Sequence, residues 1–189
     1  GKLRCPTCDG TGEISLDVQF LPDVEIPCPD CRGSRYAKEA DTVRLPVADG
    51  SVSLPELMDM DVNSALKVCG NLKLVHQRLN TLKELGLGYL TLGEETPRLS
   101  GGEAQRLKLS SEMGRGQSDT VFVFDEPTIG LHPLVVRTLL AVFQRLIDSG
   151  ATVLVIEHDL DVIRSADFII DMGPGGGTEG GRIVAAGPP

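Results

Sequence analysis

Two acidic residues, Asp125 and Glu126, directly follow the apolar run Val121–Phe124. Upstream of them stands the glycine-rich run Leu99–Glu103, which reads Leu-Ser-Gly-Gly-Glu. Carboxylates at the end of a buried parallel strand face a ligand crevice, and glycines that open a helix let an anion approach backbone N–H groups. Together, these residue types in this order predict part of a nucleotide site.

The side chains at the strand ends suit different tasks at such a site. Asp125 is placed to hold Mg²⁺ through water, because Mg²⁺ keeps much of its hydration shell. Glu126 could orient or deprotonate an attacking water. His158 follows the next apolar strand, where an imidazole could hydrogen-bond a γ-phosphate. Each residue alone is also compatible with a solvated strand end or a structural histidine, so the prediction depends on their order along the chain.

The run at residues 100–103 has two interpretations that can both hold. Ser100 and Glu103 form the S-x-x-E pattern of a capping box, which begins a helix. The same helix start offers N–H groups and a positive dipole end, and Gly101 and Gly102 leave room for a phosphate. The 189 residues contain no G-x-x-x-x-G-K-[S/T] loop. The chain therefore carries groups that complete an ATP site without the loop that grips ATP.

Four cysteines in two close pairs predict a metal module in the first region of the chain. Cys5 and Cys8 form one C-x-x-C pair, and Cys28 and Cys31 form the other. Tetrahedral Zn²⁺ takes four thiolates, and four protein ligands leave no open position for catalysis, so we predict a structural zinc site. Unrelated buried or redox-active thiols are the alternative. Cys69 stands alone on a helical stretch and is predicted to be a packed apolar residue.

The charge of the chain limits how tightly it could bind nucleic acid by itself. The formal net charge is −9, whereas contacts with phosphates need clustered Lys and Arg. A small basic cluster follows the second cysteine pair and comprises Arg32, Arg35 and Lys38. It is interpreted either as an edge that contacts phosphates or as a solvated face. No apolar run approaches the roughly 18 residues that span a bilayer, which excludes a transmembrane helix.

Composition and periodicity divide the chain into a zinc-binding module at 1–44, a helical region at 45–95 and an α/β region at 96–189. The segment 12–27 is long enough for a β-hairpin, and Ser53 is predicted to cap a helix. The elements predicted in the last region are helices at 103–113, 134–149 and 160–164 and strands at 120–124, 152–156, 168–171 and 182–185. Continuous apolar strands with crossover helices predict a parallel sheet that is covered on both faces.

These motifs resemble those of a known family over nearly the whole chain. Leu99–Glu103 is similar to the signature motif of ABC ATPases, and Val121–Glu126 is similar to their Walker B strand. Ile129–His132 is similar to their D-loop, and His158 to their switch histidine. Longer strings resemble, more narrowly, the C-terminal half of the UvrA family, the damage-sensing ATPases of the bacterial excinuclease. These strings are 20–24, 85–90, 99–107 and 170–174.

The resemblance implies an incomplete ABC-type ATPase core, of α/β class, whose Walker A loop lies upstream of the zinc module. One group of residues would contact an ATP held by the other half of the protein: Ser100, Gly101, Gly102 and Gln105. A second group would serve the ATP of its own half: Asp125 for Mg²⁺, and Glu126 and His158 for hydrolysis. The chain is expected to be a cut piece that by itself binds ATP poorly and does not hydrolyse it.

The resemblance also implies a biological setting. The full-length protein would be a cytoplasmic homodimer that binds damaged double-stranded DNA in nucleotide excision repair, within the SOS response. It would cooperate with a UvrB-like subunit and would have no membrane partner. Zinc, ATP and Mg²⁺ are the implied cofactors.

Two other classes stay open. Ile129, Gln19 and the pair Leu134–Val135 stand where a Thr, a His and two acidic residues are expected in the family. These departures add weight to a UvrA-like paralogue as the alternative to the repair protein, and another ABC ATPase that acts in drug resistance or transport also stays open. The run Cys5–Gly12 also fits the C-x-x-C-x-G-x-G repeat of DnaJ-like zinc modules. Those modules carry four such repeats and have no acidic strand end.

Overall fold

A computed structural model describes residues 2–17, 24–47, 49–95, 98–113, 118–175 and 180–189. The chain divides into two compact units, 1–83 with 88–95 and 84–87 with 96–189. The cysteine pairs lie in the first unit, and the glycine-rich run and the acidic pair lie in the second. The separation of a zinc module from a helical region inside the first unit stays a prediction.

The first unit begins with two β-hairpins. Strands β1 (Glu13–Leu16) and β2 (Val24–Pro27) pair antiparallel, which confirms the hairpin predicted between the cysteine pairs. A 3₁₀ helix, Lys38–Thr42, leads to strands β3 (Arg44–Val47) and β4 (Gly50–Ser53), which also pair antiparallel. The sequence analysis assigned this second hairpin to the helical region, because strands of four residues are too short to show a period-two pattern.

Three helices follow: α1 (Leu54–Met58), α2 (Val62–Val68) and α3 (Lys73–Glu84), of which α3 ends at the first residue assigned to the second unit. They pack around a small apolar core whose buried members are Val62, Ala65, Cys69 and Leu79. Cys69 is fully buried in this core, which confirms its predicted role as a packed apolar residue. Burial also raises the pKa of its thiol.

Helix α1 begins with the cap that the sequence predicts. Ser53 Oγ accepts a hydrogen bond from the Glu56 N–H at 3.3 Å, and Glu56 Oε2 accepts one from the Ser53 N–H at 2.9 Å. Arg44 Nη1 donates to Glu56 Oε1 at 2.8 Å. The hydrogen bond from Arg44, supported by the one from the Ser53 N–H, holds the pKa of Glu56 below its usual range.

We expect Glu56→Gln to remove a pH-dependent part of the stability. Because folding lowers the pKa of Glu56, its contribution is complete above the unfolded-state pKa of about 4.3 and is lost as the pH falls through the lower folded-state pKa. Unfolding midpoints measured from about pH 7 to about pH 3 should therefore fall less steeply in the variant. The control is Glu39→Gln, which removes an exposed acid from the preceding 3₁₀ helix. Parallel pH profiles for wild type and Glu56→Gln would contradict the expectation.

The second unit alternates helices with strands. In chain order its elements are α4 (Gly101–Glu112), β5 (Val121–Asp125), α5 (Pro133–Asp148), β6 (Thr152–Ile156), α6 (Leu160–Ser165), β7 (Ile169–Gly173) and β8 (Arg182–Gly187). Strands β5 and β6 pair parallel across the crossover helix α5, whereas β7 and β8 pair antiparallel. Every element predicted for this region is confirmed, with ends that differ by at most two residues. Within the described residues, no helix combines the length and apolar character that a membrane crossing requires.

The parallel pair is covered on one face within the described residues, so the prediction of two covered faces is wrong for this part of the chain. Phe124 points into the core, and its ring centroid lies 4.8 Å from that of Phe143 on α5. The opposite face is exposed by 48% to 63% at Val121, Val123, Leu154 and Ile156. Successive side chains of a strand point to opposite faces. A continuous apolar run in the sequence therefore does not show which face of the strand is covered by other elements of the same unit.

Candidate functional sites

Four cysteine side chains converge at one point of the first unit. The sulfur atoms of Cys5, Cys8, Cys28 and Cys31 all lie within 4.8 Å of one another. The Cys5 and Cys28 sulfurs are 3.9 Å apart, and the Cys8 and Cys31 sulfurs are 3.7 Å apart. Zn–S bonds of about 2.3 Å in a tetrahedron separate the sulfurs by about 3.8 Å. None of the four forms a disulfide, so the set predicted from the sequence is assembled at a spacing that fits one tetrahedral metal ion.

Glycines shape the backbone around this cluster. Gly10, Gly12 and Gly33 have φ of 86°, 87° and 88°, a region that residues with a Cβ rarely adopt. A Cβ on Gly12 would stand 2.9 Å from the Gly33 carbonyl oxygen, so the two cysteine turns approach each other closely there. The Gly12 N–H donates to Cys8 Sγ at 3.3 Å, and the Cys28 N–H donates to the Gly12 carbonyl at 2.8 Å. The turns therefore position the sulfurs and donate backbone hydrogen bonds to sulfur, as Gly12 does to Cys8.

The thiols of the cluster differ in proton affinity. Burial raises the pKa of Cys8, but hydrogen bonds from the N–H groups of Gly12 and Gly10 and from neighbouring thiols outweigh it and lower this pKa to about 6. At Cys28, the Cys31 N–H lowers the pKa, whereas burial and the thiols of Cys31 and Cys5 raise it to about 11. Of these two groups, Cys8 is the one that loses its proton first, and thiolate is the form that binds metal.

The basic cluster beside the second cysteine pair is only partly open to solvent. Arg32 and Lys38 are exposed, whereas Arg35 is half-buried. The Arg35 guanidinium donates to the carbonyl oxygen of Gly93. Arg35 therefore joins the cysteine turns to the loop after the helices of the same unit, and the exposed cations of the cluster are Arg32 and Lys38.

The acidic pair and the histidine meet at the carboxyl edge of β5 and β6. Asp125 ends β5 opposite Ile156, the last residue of β6, and the Glu126 N–H donates to the Ile156 carbonyl at 2.9 Å. Glu126 Oε1 lies 3.3 Å from His158 Nε2, and the His158 side chain is 84% exposed. The residues that the sequence analysis placed after two different strands are neighbours that can reach the same ligand.

Glu126 adopts a backbone conformation that a glutamate seldom takes. Its φ is 46°, in the left-handed region, which costs a residue with a Cβ about 1 to 2 kcal/mol. Two backbone hydrogen bonds hold it there, from its own N–H to Ile156 at 2.9 Å and from the Ile129 N–H to its carbonyl at 3.2 Å. These two hydrogen bonds therefore hold Glu126 in the left-handed conformation, which sets the direction of its carboxylate.

Glu157 joins the loop after β5 to the loop after β6, and the sequence analysis did not name it. Its Oε1 accepts hydrogen bonds from the N–H and Oγ1 of Thr128 at 2.9 and 2.6 Å. Its Oε2 accepts from the N–H groups of His158 and Asp159 at 3.0 and 3.4 Å. The only signal in the sequence is its place between β6 and His158. Glu157 therefore fixes both the start of the histidine loop and the turn that follows Glu126.

The glycine-rich run forms the start of α4. Ser100 Oγ accepts from the Glu103 N–H at 3.3 Å, and Glu103 Oε2 accepts from the Ser100 N–H at 2.7 Å, which confirms the capping box. This reciprocal pair does not use the N–H groups of Gly101 and Gly102. A Cβ on Gly101 would meet no atom within 4 Å, so the backbone there is open to approach. The interpretation as an anion site stays a prediction that this geometry permits.

The next turn of α4 contacts the acidic turn of the same chain. Gln105 Nε2 donates to the Asp125 carbonyl at 2.8 Å, and the Asp125 N–H donates to Gln105 Oε1 at 3.0 Å. The buried Arg106 donates from Nη1 to the Pro127 carbonyl at 2.8 Å. The sequence analysis named Gln105 as a contact of ATP and did not name Arg106.

A parallel strand pair with carboxylates and a histidine at its carboxyl edge, contacted by a capped, glycine-led helix, places the second unit in the α/β class. Comparison with known proteins narrows this class. The chain is a homologue of one part of the UvrA proteins. UvrABC system protein A of Bacillus subtilis is 49% identical over 187 residues, which is 98% of this chain and 19% of that protein.

Two further relatives support the same assignment. UvrABC system protein A of Thermus thermophilus is 46% identical over 187 residues, again 98% of this chain and 19% of that protein. The crystal structure of UvrA2 from Deinococcus radiodurans superposes with a TM-score of 0.80 at 41% identity, over 98% of this chain and 22% of that one. The chain thus spans about a fifth of the length of these relatives. No family model matches the chain. One of the strings that carry the resemblance, 20–24, lies mostly outside the described residues, since residues 20–23 are not described.

Proposed function

We propose that this chain is the part of a UvrA-like ABC ATPase that supplies the hydrolytic side chains of one ATP site. The observation that carries the proposal is the approach of Glu126 Oε1 to His158 Nε2, at 3.3 Å on the carboxyl edge of a parallel strand pair. A carboxylate there can orient or deprotonate the attacking water, and the exposed imidazole can hydrogen-bond the γ-phosphate. Asp125, one residue earlier, would hold Mg²⁺ through water, and this ion would neutralise phosphate charge.

The start of α4 would serve a different ATP, one bound by the other half of the protein. Ser100, Gly101 and Gly102 present the N-terminus of a helix, whose N–H groups and dipole favour a phosphate. Gln105 was assigned to the same group by the resemblance. No G-x-x-x-x-G-K-[S/T] loop occurs in the 189 residues. The chain by itself would therefore bind ATP poorly and would not hydrolyse it.

The four cysteines would hold one structural Zn²⁺. Sulfur–sulfur separations of 3.7 and 3.9 Å fit a tetrahedral ion, and four thiolates leave no open coordination position for a substrate. Zinc would link the two cysteine turns and so hold the hairpin between them. Reduced, metal-bound cysteines are typical of proteins that work in the cytoplasm, which is the localisation that we propose.

The whole protein would act on DNA. Relatives named UvrABC system protein A support a role as a homodimer that detects damaged duplex DNA in excision repair and recruits a UvrB-like subunit. With a net charge of −9, this chain would contribute phosphate contacts only locally, through exposed cations such as Arg32 and Lys38.

The test compares the binding of the intact protein to a duplex with one bulky adduct and to the identical unmodified duplex. Both are titrated at one fixed salt concentration, because phosphate contacts make affinity depend strongly on salt. Tighter binding to the damaged duplex that changes between ATP, ADP and nucleotide-free states is expected. Equal affinity for both duplexes in all three states would exclude the proposed role.

A UvrA-like paralogue is the second candidate, since the matched crystal structure is named UvrA2. Complementation separates the two candidates. The repair protein should restore ultraviolet resistance to a bacterial strain that lacks UvrA. A protein that hydrolyses ATP but fails to restore resistance would favour the paralogue, acting in drug resistance or transport.

A further inference from the structure

Two consecutive residues of α4, Gln105 and Arg106, form hydrogen bonds with the backbone on both sides of Glu126. Gln105 pairs with the N–H and the carbonyl of Asp125, at 3.0 and 2.8 Å. Arg106 donates to the carbonyl of Pro127 at 2.8 Å. Glu126, between these two anchor points, is the residue whose φ is 46°. A left-handed backbone at a glutamate persists only where the surrounding contacts hold it.

The Gln105 side chain pairs with Asp125 as a neighbouring β-strand residue would, through two hydrogen bonds to its backbone. A carboxamide offers one acceptor and one donor group, and here both engage the two backbone groups of Asp125, the last residue of β5. The helix start also touches the turn, because a Cβ on Gly102 would lie 3.8 Å from the Glu126 carbonyl oxygen. Hydrogen bonds thus connect the first turns of α4 directly to the acidic turn within the second unit.

We propose that Gln105 is a positioning residue for Glu126, with Arg106 as the second anchor, and that it does not contact ATP. The proposal rests on the proposed function, because it takes Glu126 as the residue that acts on the attacking water. In this role, the Gln105 carboxamide holds the Asp125 backbone and thereby orients the Glu126 side chain. The glycine-rich run and the hydrolytic carboxylate then move together, so a displacement of α4 changes the position of Glu126.

The kinetic test measures the two ATP sites of the intact protein separately, each with the other site inactivated. Gln105→Leu keeps the approximate shape of the side chain and removes both hydrogen bonds. Gln105→Glu keeps the acceptor for the Asp125 N–H and loses the donor to its carbonyl. We expect kcat to fall about tenfold in Gln105→Leu and less in Gln105→Glu, with KM for ATP unchanged within about twofold. A raised KM at the site of the other half, with kcat unchanged at the site that Glu126 serves, would indicate direct contact with ATP and overturn the proposal.

The matched control is Gln144→Leu on α5. It removes an exposed hydrogen bond from Gln144 Nε2 to Asp148 Oδ1 at 2.9 Å, away from the acidic turn. We expect kcat and KM of this variant to equal those of wild type. A tenfold loss of kcat in Gln144→Leu as well would show that the Gln105 effect is unspecific, and it would overturn the proposal.

Hydrogen exchange reports the same contact without activity. In Gln105→Leu the Asp125 N–H should exchange about tenfold faster than in wild type, because it loses its acceptor. The Thr152 N–H, bonded to Thr120 at 2.9 Å at the other end of the strand pair, should keep its rate. Where the leucine variant exchanges fast at both amides and has unfolded, Gln105→Met, which also lacks the carboxamide acceptor, decides by the same two amides. An unchanged rate at Asp125 in a folded variant overturns the proposal.

Glu126→Gln, assayed beside these variants, separates the two levels of inference. If Glu126→Gln loses hydrolysis and Gln105→Leu keeps full kcat, the positioning role fails and the proposed function stands. If Glu126→Gln retains full hydrolysis, the proposed function fails, and the positioning role fails with it.

Discussion

Replacing Glu126 by glutamine is expected to slow ATP hydrolysis at the site that this chain serves by about a hundredfold or more, a loss typical for removal of a general base. Glutamine has nearly the same shape and cannot accept a proton from water. The Glu126 side chain is 42% exposed, so its replacement should leave the buried contacts of the unit intact. ATP affinity should therefore change little.

The measurement is hydrolysis by the intact protein with any second ATP site inactivated, combined with equilibrium binding of ATP. Glu94→Gln is the control, since it removes an exposed acid that lies in the other unit. Unchanged hydrolysis in Glu126→Gln would exclude Glu126 as the base. A loss of ATP binding equal to the loss of hydrolysis would mean that Glu126 holds the nucleotide and does not act on water.

Removal of one cysteine ligand is expected to release the metal. We expect about one zinc per chain in the purified protein and less than about a tenth of that in Cys28→Ser, because a structural zinc site depends on its complete ligand set. Cys28 is the most buried residue of the cluster, with an exposed fraction of 0%, so bulk water cannot complete the vacated position without opening the module. Metal content per chain by elemental analysis gives the result.

The structural consequence should be local to the cysteine turns. Treatment with a chelator should speed exchange of the Cys28 and Arg32 N–H groups, which are bonded to Gly12 and Cys28 at 2.8 and 2.7 Å. Cys69→Ala is the control, since Cys69 is buried in the helical core and lies outside the cluster. Full zinc content in Cys28→Ser, or unchanged exchange after chelation, would contradict a structural metal site.

The features that the sequence predicted correctly depend only on residues that are close together along the chain. Two C-x-x-C pairs each place two sulfurs on one turn, and the four sulfurs converge as their types and spacing predict for a metal site. Ser53 and Ser100 each stand three residues before a glutamate, and both form the reciprocal hydrogen bonds of a capping box. Strand β6 is observed at the predicted residues, because an apolar run between turn residues has few alternatives.

The features that the sequence missed depend on contacts between distant segments. Gln105 meets Asp125 across 20 residues of chain, and Thr128 meets Glu157 across 29. Neither pair has a local signal, because any exposed Gln or Glu on a helix or loop looks the same in sequence. The exposed face of β5 and β6 is a similar case, since hydrophobicity shows that a residue can be buried and does not show what buries it.

The sequence by itself therefore determined which residue types lie together locally, and from them it predicts a class of chemistry: thiolates for a metal, a glycine-led helix start for an anion, and carboxylates with a histidine for hydrolysis. These assignments follow from residue type and local spacing, which the backbone converts directly into turns, caps and strand ends. Only the tertiary structure decided which of these groups meet. It placed Glu126 beside His158 and assigned Gln105 to the Asp125 backbone, because the parallel pairing of β5 with β6 and the packing of α4 bring separate segments to one edge.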